Sequence, residues 1–119
     1  MKTILVIEDN EQNLYLVTFI LEKNGYQVIA ARDGWEGIEL AHQVKPDLIL
    51  LDIQLPVIDG YAVARELRQN QELEGIPIVA VTSFAMTGDR ERTLAAGCIG
   101  YIEKPINPET FMKDIEEYL

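Results

Sequence analysis

Acidic, hydroxyl and amino side chains follow directly after apolar runs in this sequence. Glu8 and Asp9 follow the first run, and Asp52 ends a run of four large aliphatic residues. Thr82 and Lys104 follow two later runs. Four consecutive aliphatic residues do not alternate between a wet and a dry face, so the run before Asp52 predicts a strand buried on both sides. A carboxylate at the end of such a strand costs free energy unless a cation or a hydrogen-bond donor meets it.

These residue types suit phosphoryl transfer if they lie together. Three carboxylates within a few ångströms raise one another's pKa unless a divalent cation neutralises them. Oxygen ligands without a nearby Cys or His favour Mg²⁺, and Mg²⁺ beside a carboxylate suits phosphoryl chemistry. Asp52 is then a candidate nucleophile that forms an aspartyl phosphate. The Thr82 hydroxyl and the Lys104 ammonium group are candidate donors to the phosphoryl oxygens.

The elements that position these residues follow from the apolar patterning. Five apolar runs alternate with five segments of helical spacing, which predicts a doubly wound α/β fold with a parallel sheet between two layers of helices. In such folds ligands bind at the carboxyl ends of the strands, so the polar residues at four strand ends are expected on one rim. The predicted strands cover residues 2–7, 26–31, 48–52, 76–81 and 99–102.

Helix boundaries are signalled by capping residues. Asp33 and Asp59 precede helical segments as N-caps, and Asn24 with Gly25 predicts the end of the first helix. Asn107 followed by Pro108 predicts the start of the last helix, with proline at its first position.

Composition limits the class of protein. The 119 residues are 48% apolar and 25% charged, which predicts one globular domain over residues 1–119. A net charge of −10 repels phosphate backbones and argues against direct nucleic-acid binding. The short first apolar run predicts neither a signal peptide nor membrane insertion, and the single Cys98 excludes an internal disulfide, so we expect a cytoplasmic protein.

Each candidate residue also has a simpler explanation. Asp9 can be a helix cap, Thr82 a hydroxyl at a strand end and Lys104 a solvated charge. Their expected coincidence on one rim of the sheet favours the functional interpretation.

The chain resembles the receiver domains of two-component response regulators from end to end. The matching features are Glu8-Asp9, Asp52 within residues 51–56, Asp59-Gly60, residues 82–86, Tyr101 and Lys104-Pro105. The opening residues 6–11 and the segment 82–86 are most similar to single-domain receivers of the DivK type. The resemblance implies a flavodoxin- or CheY-like fold with strand order 2-1-3-4-5.

The resemblance also implies roles for these residues. Asp52 is the expected phosphoacceptor, supplied by a histidine kinase or a histidine phosphotransfer protein. Asp9, Asp52 and the Gln54 backbone carbonyl are expected to ligate Mg²⁺ directly, and Glu8 through water. Thr82 and Tyr101 form the expected switch.

The resemblance has further consequences for effector binding and for the surroundings of Asp52. The implied effector-binding surface is the fourth helix, the fifth strand and the fifth helix, and the Lys104–Pro105 peptide bond is expected to be cis. Gln54 stands where methionine is common in the family. With Phe84, it is expected to flank the phosphoryl group and to influence its lifetime.

Several alternatives stay open at this point. An isolated receiver can be a diffusible output, a relay intermediate or a phosphate sink. An aspartate-nucleophile phosphohydrolase usually carries a second aspartate two positions after the nucleophile, where this chain has Gln54. A flavin-binding electron carrier needs a phosphate-binding loop after the first strand, where residues 8–11 are mostly acidic.

Overall fold

Strands and helices alternate along the chain. The computed structural model describes residues 1–83 and 87–119, and for residues 87–89 it describes the backbone alone. Within that part, a 3-10 helix at Gln71–Leu73 adds to the regular elements. The strands and helices are β1 (Thr3–Ile7), α1 (Glu11–Lys23), β2 (Gln27–Ala31), α2 (Gly34–Val44), β3 (Leu48–Asp52), α3 (Gly60–Arg68), β4 (Ile78–Thr82), α4 (Thr87–Ala95), β5 (Gly100–Glu103) and α5 (Phe111–Glu116).

The strands form one parallel sheet in the order β2-β1-β3-β4-β5. This order confirms the doubly wound fold expected from the sequence. β1 pairs on one side with β2 and on the other with β3, with Ile7 opposite Leu51. β3 pairs with β4, with Asp52 opposite Val81. The carboxyl ends of β1, β3 and β4 therefore lie side by side.

Apolar side chains bury both faces of the sheet. One core contains Leu5 and Ile49 with residues of α2 and α3, and the other contains Ile4 and Leu50 with residues of α1 and α5. Every residue of β3 and β4 is buried. Such strands are rigid supports for the polar residues at their ends. No helix in the described part of the chain is long and apolar enough to cross a membrane.

Side chains cap the first three α-helices, α1, α2 and α3. The Asn10 Oδ1 atom accepts a hydrogen bond from the Asn13 N–H at the start of α1, at 2.9 Å. Asp33 caps α2 and Asp59 caps α3 in the same way, as predicted. α1 ends at Lys23, and Gly25 adopts a φ of +90°, which agrees with the predicted Asn24–Gly25 stop.

Two predicted boundaries are wrong by two residues or more, and the other predicted strand ends lie within one residue of the observed ones. β4 begins at Ile78 rather than at residue 76, because the Ile76 N–H donates to the Leu73 carbonyl and Pro77 has no N–H. α5 begins at Phe111 rather than after Asn107. The Asn107 Oδ1 atom does accept a hydrogen bond from the Glu109 N–H, at 2.9 Å, but it caps a turn that precedes the regular helix.

Arg68 at the end of α3 holds the opposite end of the sheet from the polar rim. Its guanidinium group donates hydrogen bonds to four backbone carbonyls, those of Gly97, Leu73, Glu74 and Ile76, at 2.6–3.1 Å. Gly97 has a φ of +106°, and a Cβ atom there would overlap the Arg68 side chain. Arg68 thus ties the α3–β4 connection to the turn between α4 and β5.

We expect Arg68→Met to lower the free energy of unfolding by about 2–4 kcal/mol, because it leaves several backbone carbonyls without a donor. Urea denaturation followed by circular dichroism measures this change. Arg65→Met, at an exposed position on the same helix, is the matched control and should change stability by less than about 0.5 kcal/mol. Equal stability of the two variants would contradict the role of Arg68.

Candidate functional site

Three acidic side chains meet at the carboxyl ends of β1 and β3. Glu8 and Asp9 directly follow β1, and Asp52 is the last residue of β3. One carboxylate oxygen from each lies within 4.8 Å of the other two. Glu8 and Asp52 are buried, whereas Asp9 is exposed. The predicted acidic cluster is therefore present, with one open side.

Asp9 is not the helix cap that the simpler explanation required. Asn10 caps α1, so the Asp9 carboxylate is not needed for that role. The Asn10 N–H also donates to the Glu8 Oε2 atom, at 3.2 Å, which orients Glu8 toward the cluster.

Lys104 joins the acids from the end of β5. Its Nζ atom lies 3.2 Å from the Asp52 Oδ1 atom and 3.2 Å from the Glu8 Oε1 atom. The Lys104 side chain is only 13% exposed, so it is not a solvated surface charge. Its backbone N–H donates to the Thr82 carbonyl at 2.8 Å, and the Lys104–Pro105 peptide bond is cis, as expected from the resemblance.

Burial perturbs the Glu8 carboxyl group. Loss of solvent raises its pKa, and the hydrogen bond and negative charge of Asp52 raise it further, to about 7. The Asn10 N–H and the Lys104 charge lower the pKa but only in part. When Glu8, Asp9 and Asp52 are all ionised, their combined negative charge exceeds the positive charge of Lys104.

The segment between β3 and α3 contacts Asp52. The Gln54 N–H donates to the Asp52 Oδ1 atom at 2.9 Å, and the Gly60 N–H donates to the Ile53 carbonyl at 3.0 Å. A Cβ atom on Gly60 would lie 2.6 Å from the Asp52 carbonyl oxygen. Sequence reasoning treated Asp59-Gly60 as a helix start and missed this close approach.

Two further contacts in this region were not predicted. The Ser83 N–H donates to the Gln54 Oε1 atom at 3.3 Å, which links the loops after β3 and β4. Val57 has a φ of +69°, a conformation that β-branched residues rarely adopt, and the Ile58 N–H closes a tight turn onto the Pro56 carbonyl. The departure of Gln54 from the family pattern was the only sequence signal for the first of these features, and no sequence signal indicated the second.

Thr82 and Tyr101 lie on neighbouring strands. Thr82 ends β4 and is 2% exposed. Tyr101 on β5 pairs with Ala80 and is half-buried against the core. Phe84, expected beside the phosphoryl group, and the rest of the 84–86 segment lie outside the described residues.

The raised pKa of Glu8 predicts how stability depends on pH. Its ordinary pKa is 4.5 and its folded pKa is about 7, so between these values the folded protein binds more protons than the unfolded chain. The contribution of Glu8 to stability is therefore present below pH 4.5 and is lost as the pH rises toward 7.

Glu8→Gln removes this ionisation. With divalent cations chelated, we expect the free energy of unfolding of the variant to rise relative to wild type between about pH 5 and about pH 8. Urea unfolding at several pH values measures the difference. Glu66→Gln, at an exposed position on α3, controls for removing a surface charge. A pH-independent difference for Glu8→Gln would contradict the raised pKa.

Comparison with known proteins agrees with this geometry. Residues 4–116 match the family model of the response regulator receiver domain. Over 118 residues the chain is 46% identical to the polar-differentiation response regulators DivK of Brucella anthropi and Brucella ovis. These alignments cover 99% of this chain and 96% of each relative.

Solved structures of receiver proteins are also similar to this chain. The chemotaxis response regulator CheY4 of Vibrio cholerae superposes with a TM-score of 0.96 and 28% identity, covering 100% of this chain and 99% of that chain. The receiver domain of the sensor histidine kinase PA1611 from Pseudomonas aeruginosa, solved with a magnesium ion coordinated in its active site cleft, superposes with a TM-score of 0.90. It is 35% identical, covering 98% of this chain and 96% of that chain. This chain belongs to the response regulator receiver domain family of two-component signalling.

Proposed function

We propose that this receiver domain accepts a phosphoryl group on Asp52 from the phosphohistidine of a histidine kinase or a histidine phosphotransfer protein. The observation that carries the proposal is the ion pair at the end of β3, where the Lys104 Nζ atom lies 3.2 Å from the Asp52 Oδ1 atom. The Asp52 side chain is only 2% exposed. A residue with a purely structural role would cost less free energy at such a buried position if it were apolar.

In the proposed step, an Asp52 carboxylate oxygen attacks the phosphorus atom of phosphohistidine. An oxygen–phosphorus bond forms as the phosphorus–nitrogen bond breaks, and the electron pair of the broken bond returns to the imidazole ring of the donor. Lys104 is near enough to Asp52 to balance negative charge on one phosphoryl oxygen. The Thr82 hydroxyl, on the neighbouring strand, is the proposed donor to another oxygen.

The acidic cluster suits Mg²⁺. Its donors are all carboxylate oxygens that approach within 4.8 Å of one another, and exposed Asp9 leaves a side open to solvent. In this proposal Asp9, Asp52 and the Gln54 backbone carbonyl hold the ion directly, and Glu8, which pairs with Lys104, acts through water. When bound, Mg²⁺ supplies neutralisation of the charge on the phosphoryl oxygens.

The proposed output is a change in protein contacts. Phosphorylation draws the Thr82 hydroxyl toward the phosphoryl group, which opens space for the Tyr101 ring. The proposed effector surface consists of α4, β5 and α5. Leu94 on α4 and Ile99 just before β5 are 47% and 50% exposed, which gives this surface apolar groups for a partner to cover.

We expect wild-type protein incubated with acetyl phosphate and Mg²⁺ to gain the mass of one phosphoryl group, and Asp52→Asn to gain none, because the amide is a poor nucleophile. Intact-protein mass spectrometry measures both. Asp47→Asn, an exposed aspartate just before β3, is the matched control and should be labelled like wild type. Labelling that persists in Asp52→Asn would sink the assignment.

The proposed metal site predicts the effect of removing a ligand. We expect Asp9→Asn to weaken Mg²⁺ binding at least about tenfold, because it removes a charged oxygen ligand from a site that needs only one or two carboxylates. Isothermal titration with MgCl₂ measures the affinity, again with Asp47→Asn as the control. An unchanged affinity in Asp9→Asn would place the ion elsewhere.

A further inference from the structure

His42, the single histidine of the sequence, is joined to the 3-10 helix that precedes β4. His42 lies in the last turn of α2, and the Asn70 Nδ2 atom lies 3.0 Å from its Nδ1 atom and 3.3 Å from its Nε2 atom. Asn70 is the N-cap residue of the 3-10 helix, and both side chains are partly buried. The contact therefore links the end of α2 to the start of the 3-10 helix, far along the chain.

The orientation of the Asn70 carboxamide is fixed by its second hydrogen bond. The Asn70 Oδ1 atom accepts the Glu72 N–H at 2.9 Å. Because a backbone N–H can only donate, the oxygen of the carboxamide faces Glu72 and the NH₂ group faces His42. The imidazole ring must then be the acceptor. A neutral ring has one nitrogen with a lone pair, and a protonated ring has none, so this hydrogen bond requires neutral His42.

Protonation of His42 makes the two contacts of Asn70 incompatible. The protonated ring presents N–H groups to the Asn70 NH₂ group, and two donors that face each other repel. If the carboxamide turned over to offer its oxygen to His42, the Glu72 N–H would face the NH₂ group and lose its cap. In either arrangement the Asn70 NH₂ group loses its acceptor on His42.

The charged groups around His42 give the protonated ring other partners. The sequences of β1 and β2, which pack against α2, contain no titratable residue. α3 and the 3-10 helix contribute Glu66 and Glu72, which line a cavity of about 500 Å³ together with His42. On the α2 side, Glu39 precedes His42 by one turn, and the Lys45 Nζ atom lies 3.8 Å from the Glu72 Oε2 atom. The carboxylates favour a charged ring that has left Asn70.

We propose that the His42–Asn70 hydrogen bond is a pH-dependent link between α2 and the 3-10 helix, formed when His42 is neutral and released when His42 is protonated. The link lies away from Asp52 and operates in the unphosphorylated protein. Its release loosens the start of the α3–β4 connection. The change stays local, because Leu73 is 1% exposed in the core and its carbonyl is still held by Arg68.

Two variants separate this link from other effects of pH. His42→Gln replaces the ring with a carboxamide, whose oxygen accepts a hydrogen bond at every pH. Asn70→Asp keeps an oxygen that caps the Glu72 N–H and turns a second oxygen toward His42. A carboxylate pairs with a protonated ring, so Asn70→Asp should reverse the pH dependence of the link.

The measurement is hydrogen exchange by NMR between about pH 5.5 and about pH 8, the range in which histidine changes charge. Each rate is divided by that of an unstructured chain at the same pH. At low pH we expect the protection of the Asn70 side-chain NH₂ group to fall about two- to tenfold in wild type, because one hydrogen bond is lost, and to stay constant in His42→Gln. We expect the protection of the Glu72 amide to rise at low pH in Asn70→Asp.

Each outcome bears on the link itself. Constant protection of the Asn70 NH₂ group in wild type overturns it. An equal fall in His42→Gln also overturns it, because another group would then be responsible. Glu8, with a pKa of about 7, titrates in the same range but is unchanged in both variants, so it does not produce a difference between them. Glu72 protection that falls at low pH in Asn70→Asp contradicts the deduced orientation of the carboxamide and overturns the link.

Discussion

The charge balance around Lys104 is the constraint on which the site depends. The Lys104 ammonium group lies 3.2 Å from carboxylate oxygens of both Glu8 and Asp52, and both carboxylates are almost fully buried. Burial, followed by the hydrogen bond and negative charge of Asp52, raises the pKa of Glu8 to about 7, because the single positive charge of Lys104 offsets these effects only in part. Asp9 adds a third acid at the open side. A site with surplus negative charge and a solvent-facing edge favours a cation there.

The parallel sheet makes this arrangement possible. β1, β3 and β4 are adjacent, so residues that are far apart in the sequence emerge at one rim. Helices cover both faces, so apolar packing holds the strands in place. Arg68 holds the loops at the opposite end through four backbone carbonyls. The hydrogen bonds of Arg68 and the candidate site therefore lie at opposite ends of the same sheet.

The sequence predicts the sheet and the rim because both depend on local patterns. Runs of aliphatic residues predict buried strands, and a polar residue after such a run marks its end, as at Asp52 and Thr82. The Asp59 cap is equally local. Contacts between distant segments leave no such pattern. The hydrogen bonds from Arg68 to the Gly97 and Ile76 carbonyls depend on how α3 packs against segments that come later in the chain. The start of β4 was misplaced because the Ile76 N–H bonds to a turn.

In the proposed function, the difference between the rigid buried strands and the exposed residues at their ends determines which groups respond to a phosphoryl group at Asp52. Added negative charge at the rim requires donors to rearrange, because the buried strands cannot move without losing their packing. Lys104 is held between two carboxylates, so its freedom is small. Gln54 and Ser83 are exposed and joined by a single hydrogen bond, so they can exchange partners at low cost.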